Sequence, residues 1–241
     1  MATETATTHT TAHQRFYFYA LVCAATILFI GFARTYFLKT LFGAPPLYPL
    51  LHVHGFVMTS WFLLLGIQTW LVEKRRVDLH RRLGAFGVIL ASMMLIFGAI
   101  VVTINAREGR VPDAAPIPVI LILSYMNLLA FGLFVGAAIY FRRRNEFHKR
   151  LMLLATLNLL SAAINRIPLD FIASGGVLAV FGLLDLFILI CVVYDTARHR
   201  RLHPAFGWGA LFSFVWPALG IVLGGSSGGS TLATWVLNKA H

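Results

Sequence analysis

The chain reads as an all-α membrane protein, a bundle of seven transmembrane helices. Three observations carry that reading. Of its 241 residues 59% are hydrophobic and only 12% charged, against roughly 25% charged in soluble domains, and the mean hydropathy is +0.78. Seven apolar runs each approach the about 20 residues that cross a hydrocarbon core. The basic residues crowd into alternate loops between those runs.

Residues 1–14 form a polar leader rich in Thr and Ala, expected to be disordered. It carries no cationic cluster or cleavage site, so the first run is a membrane segment, not a signal peptide. The seven segments fall at 16–40, 49–72, 82–105, 117–141, 148–168, 175–194 and 206–223, and residues 15–223 make up the membrane domain. The third, fourth and sixth are almost unbroken apolar stretches. The fifth opens on H-K-R-L and ends at N-R-I-P, and Asn158, Ser161 and Asn165 share one of its faces. Residues 224–241 begin with G-G-S-S-G-G-S, a flexible linker, and end in a tail with one interfacial turn anchored by Trp235.

Thirteen of the 20 Lys and Arg lie in the loops after segments two, four and six, while Lys39, Arg107 and Arg110 are nearly all that the other loops carry. The positive-inside rule then places the N-terminus in the cytoplasm and the C-terminus outside. The net charge of +11 becomes a collar facing anionic lipid headgroups, not a nucleic-acid surface. The expected setting is the bacterial inner membrane, with a multi-pass topology. Cys23 and Cys191 both lie in apolar runs, with neither metal nor disulfide spacing. No Walker loop, G-x-S-x-G, H-E-x-x-H or C-x-x-C is present. No lysine lies deep in a segment, which excludes a retinal Schiff base.

A tetrapeptide H-[RK]-R-L recurs at the basic end of three segments: His80-Arg81-Arg82-Leu83, His148-Lys149-Arg150-Leu151 and His199-Arg200-Arg201-Leu202. Its basic residues can simply snorkel to the headgroups. Alternatively, imidazoles from two such helix starts converge on a metal or a haem iron, with His80 and His148 the best placed pair.

A second histidine signal is L-H-V-H-G-F-V-M, Leu51 to Met58. His52 and His54 point to nearly opposite sides of a helix. His54, Met58, Trp61, Leu65 and Gln68 form one stripe and are expected to face inward, and Gly55 permits a close approach. His54 joins His80 and His148 as a candidate metal or haem ligand. Arg34 and Arg166 stand at the depth of His54, as candidate partners for haem propionates. His54, Asn165, Tyr125 and Asn127 are candidates for binding an anionic or quinone-like headgroup, and Asp185 is the one acid at mid-segment.

The run L-H-V-H-G, then L-H-R-R-L-G, then F-H-K-R-L-M leading to N-R-I-P resembles a family of bacterial multi-helix membrane proteins grouped as a domain of unknown function. It covers roughly residues 49–168 and implies a polytopic helical protein with no assigned reaction. A looser likeness is to b-type membrane cytochromes, which carry histidine pairs on four successive helices. Here the fourth segment has none, so the likeness implies one haem at most. The expected function is transmembrane redox chemistry on haem b or another metal. The alternatives are a metal-free transporter or binding protein for an anionic or quinone-like molecule, or a structural subunit of a membrane complex. The sequence does not fix whether the protein is an enzyme, nor its oligomeric state.

Overall fold

A computed structural model describes residues 2–111 and 115–238, with side chains from Phe16 onward. Every regular element among the described residues is helical: α1 (Ala2–Phe32), α2 (Pro49–Glu73), α3 (Val77–Arg107), α4 (Ile117–Tyr140), α5 (Asn145–Asn158), α6 (Ser161–Ile164), α7 (Asp170–His199), α8 (Pro204–Gly225) and α9 (Ser227–Asn238). Six of them are long and apolar enough to cross a membrane: the Phe16–Phe37 stretch, α2, α3, α4, α7 and α8. The leader at residues 1–14 lies outside the described side chains.

The expected fifth span, 148–168, is not one long helix. It divides into α5 and the single turn α6 around Leu159 and Leu160, where backbone bonds shorten to the i→i+3 pattern. The local cause is side-chain competition for carbonyls. Thr156 Oγ1 donates to Met152 O at 2.9 Å and Asn158 Nδ2 to Leu154 O at 2.8 Å. Such i−4 back-bonding bends helices.

α5 is nevertheless the pillar of the bundle. Leu154, Ala155, Thr156 and Leu157 have no exposed surface, because α4, α8, α1 and α7 all pack around this helix. A polar α5 is tolerated since its neighbours satisfy it. Trp61 Nε1 of α2 donates to Thr156 Oγ1 at 3.2 Å, and Asn158 Nδ2 also donates to Ser213 Oγ of α8 at 3.0 Å. At the crossing of α1 and α6 a Cβ on Gly31 would run into the Ala163 carbonyl, so only glycine allows this approach.

The outside of the bundle is apolar. Phe56 and Leu63 of α2, Leu178 of α7 and Val222 of α8 are 63–74% exposed. In water such a surface would aggregate; a lipid bilayer is the medium that solvates it. The short loops 74–76, 141–144 and 200–203 share one end, called here the basic end. Tyr48, Asn105 and Arg166 mark the far end.

Two further expectations meet differences. The Gly/Ser stretch is not an extended linker: only Ser226 interrupts the helices, and its hydroxyl accepts from Gly229 N at 3.0 Å, capping α9. The tail is three turns long, not one. Ala233 buries against Ala106 and Leu121, and Arg107 Nη2 donates to Val236 O at 2.6 Å. Trp235 stays exposed.

Candidate functional site

His80 and His148 are each the fourth residue of their helices, α3 and α5. The two rings stand 6.3 Å apart, centre to centre, at 89°. His148 Nδ1 lies 2.8 Å from the Ala138 carbonyl of α4. A carbonyl only accepts, so Nδ1 carries the proton and Nε2 keeps its lone pair. That arrangement is the one metal-binding histidines use to fix their tautomer. Beside it, Gln68 Nε2 donates to the His80 carbonyl at 3.2 Å. His80 Nδ1 and Gln68 Oε1 are both buried without a partner among the described residues.

The third copy of the tetrapeptide does not join them. His199 ends α7 instead of opening a helix, and its Nδ1 lies 2.8 Å from the Asp195 carbonyl. It belongs to a second cluster at the basic end, built on Arg150. Arg150 is 1% exposed and Asp195 0%. The guanidinium grips the carboxylate through Nε–Oδ2 at 2.9 Å and Nη2 to both oxygens at 2.8 Å. Tyr17 OH of α1 donates to Asp195 Oδ1 at 3.3 Å, and Arg150 Nη1 reaches Glu146 Oε2 at 2.5 Å. One ion pair thus ties α1, α5 and α7, with the Phe206 ring of α8 under the guanidinium at 5.6 Å. Above it opens a cavity of about 240 Å³ lined by Glu146, Arg150, His199, Arg201 and His203. His203 caps α8 by accepting from Ala205 N at 3.2 Å. Burial, and then the Arg150 charge, hold its imidazole below the ordinary 6.5.

Along α2 the expected face is the observed one. Trp61, Leu65 and Gln68 are buried, His54 and Met58 are half-buried, and His52 is exposed. The Tyr36 ring lies over Gly55, where a Cβ would strike it. His54 Nδ1 is buried without a partner among the described residues. Arg166, at the same end, is half-buried. Its Cζ lies 4.8 Å over the Phe32 ring and its Nη1 donates to Ala162 O at 2.6 Å.

Known proteins add no likeness. No protein family, curated sequence or solved structure matches the chain.

The candidate residues therefore separate into distinct places. His54, His80 and His148 do not share a site. Gln68, which bonds the His80 backbone, is 14 residues along α2 from His54, about 21 Å at 1.5 Å per residue. Among the described residues no three His, Cys, Asp or Glu side chains gather as a metal would need. Arg34 does not face His54: it is exposed, with Cζ 5.4 Å over Phe42. The reason is the wide π-helical turn Ala33–Phe37, closed by Leu38 N to Ala33 O at 2.7 Å, which carries Arg34 to the outside. Tyr125 and Asn127 are engaged between helices. Tyr125 OH meets Thr103 Oγ1 at 2.5 Å, and Asn127 Nδ2 donates to Ser161 Oγ. Asn165 is half-buried as the residue closing α6. Arg166 and Asp185 form no ion pair, and Asp185 Oδ1 is buried without a partner among the described residues.

The Arg150–Asp195 pair was missed by sequence reasoning. Arg150 reads as one more snorkelling cation and Asp195 as part of a polar loop. The available signal was an acid four residues before the third histidine, on the face that His199 shares.

Proposed function

We propose that the chain is a multi-pass membrane redox protein that holds one b-type haem between His80 and His148. The observation that carries this is the pair itself: two imidazoles from different helices, 6.3 Å apart, with no third donor gathered beside them among the described residues. Imidazole nitrogens bind first-row metals at about 2.0–2.1 Å, so two rings on opposite sides of one metal stand about 6 Å apart, centre to centre. A two-histidine set suits a metal that brings its other four ligands in a macrocycle. The unpartnered Gln68 Oε1 and His80 Nδ1 fit a site whose polar groups await a ligand. His80 and His148 would hold the haem, and the haem would supply one-electron chemistry. The arginines of the basic loops, not Arg34 and Arg166 at the far end, stand on the side where propionates could be met.

The setting of this reading is a seven-crossing bundle in a bacterial inner membrane, with α5 and α6 together as the broken fifth crossing. The 13 basic residues in alternate loops support a cytoplasmic basic end. The histidine–basic motifs, and the likeness they carry, support the same reading.

The test is expression with added haem precursor, gentle detergent purification, and a reduced-minus-oxidised visible spectrum. The expected result is a haem spectrum that His80→Ala and His148→Ala each abolish or shift, while His199→Ala and His54→Ala leave it unchanged. A colourless preparation from haem-replete cells, or bands that survive the double substitution, would overturn the proposal.

A further inference from the structure

Arg166 presents an imbalance that the haem reading leaves untouched. Its half-buried guanidinium lies over Phe32 of α1 and donates to the Ala162 carbonyl of its own chain segment. No acid pairs with it among the described residues. An arginine carries five N–H donors, and among the described residues one of them is engaged. His54 Nδ1 of α2 is buried without a partner among the described residues, beside Gly55, which packs under the Tyr36 ring one turn beyond Phe32. A cation in a membrane protein normally finds a counter-charge, because the hydrocarbon solvates an unpaired one poorly.

The backbone around these two side chains is irregular on two sides. α1 widens into the π-helical turn directly after Phe32, and α5 breaks at Leu159 and Leu160 before α6 delivers Arg166. π-turns concentrate at functional sites. Broken membrane helices recur where polar ligands are bound. Three independent features therefore meet at one level: an uncompensated guanidinium, an imidazole with an unused nitrogen, and two interrupted helices.

We infer that the far end binds an oxyanion, a carboxylate or phosphate group whose oxygens accept from the Arg166 guanidinium while His54 makes one further hydrogen bond. The group can come from a lipid headgroup or from a free organic acid; the chemistry at the protein is the same. A carboxylate or phosphate is preferred over a neutral carbonyl because it also cancels the charge.

The test uses the full chain in a nonionic detergent, with sodium phosphate and sodium octanoate titrated at constant ionic strength, and in nanodiscs of phosphatidylglycerol. Thermal melting is followed. At a hundredfold excess over Kd the site should raise Tm by about 5–10 °C, saturably. Arg166→Gln should lose the rise, and Arg166→Lys should keep part of it. His54→Gln, which leaves the charge in place, should weaken binding about tenfold, one hydrogen bond's worth. A rise with octanoate or phosphate in detergent identifies a free acid as the source. A rise confined to phosphatidylglycerol, with that lipid retained by the wild type in native mass spectrometry and lost from Arg166→Gln, identifies a headgroup. An equal rise in Arg166→Gln would overturn the inference. So would silence with all three anions, or a rise only with a neutral short-chain quinone.

Discussion

Replacing Asp195 by Asn isolates the charge of the buried pair while keeping its shape. In the wild type Arg150 and Asp195 are 1% and 0% exposed and share three contacts of 2.8–2.9 Å. The substitution strands a guanidinium in the interior. Glu146 remains beside it, but that carboxylate is 53% exposed, and water screens what it could give back. Removing one partner of a buried ion pair destabilises by about 3–5 kcal/mol, whereas replacing both by apolar groups of similar volume is often neutral or favourable. For a chain of this size 1 kcal/mol moves Tm by about 2–4 °C, so Asp195→Asn should melt roughly 6–20 °C lower. The double variant Arg150→Met, Asp195→Leu should recover most of that loss. The assay is fluorescence-detected size exclusion after heating in detergent. A single variant within about 2 °C of wild type, or a double variant as unstable as the single, would refute the claim that charge burial governs this junction.

Other outcomes follow from features at both ends. Gly31→Ala should destabilise by about 1–3 kcal/mol through overpacking against Ala163, while Gly66→Ala and Gly136→Ala, with open space around them, should stabilise by about 0.5–1 kcal/mol; thermal melting ranks the three. His203 has a folded pKa below its ordinary 6.5, so its contribution is present above that value and lost as pH falls through the folded one. Tm should therefore drop on acidification below about pH 6.5, and His203→Asn, which keeps the cap acceptor without titrating, should flatten that part of the curve. In a background with Cys23 and Cys191 replaced by Ala, a cysteine at Gly43 should react with an impermeant thiol reagent added to whole cells and one at Asn145 should not; the opposite labelling would invert the topology.

Most of the helices were legible because a membrane segment is written as bulk apolarity, a signal that survives local detail. Segments 49–72 and 117–141 lie within a residue of α2 and α4 at both ends. The broken fifth segment was not legible: the break depends on Thr156 and Asn158 turning onto their own helix, and the sequence shows only polar residues on an apolar run. The His80–His148 pairing could be read, since a repeated motif at two helix starts on one side of the membrane brings the rings to one level. The Arg150–Asp195 pairing could not, as nothing in a sequence distinguishes a cation that snorkels from one that meets an acid 45 residues later. Arg34 was misplaced because heptad-like counting assumes 3.6 residues per turn, and the π-turn breaks that count.

The position of Asp195 in the chain bears on how the protein is made. α5, the central pillar, is too short and too polar to count among the six helices able to cross alone, and it carries the arginine that most needs a partner. That partner is translated only after α6, the following loop and nearly all of α7 have been synthesised. The most interior helix therefore carries Arg150 without its buried acid until the end of α7 has been made.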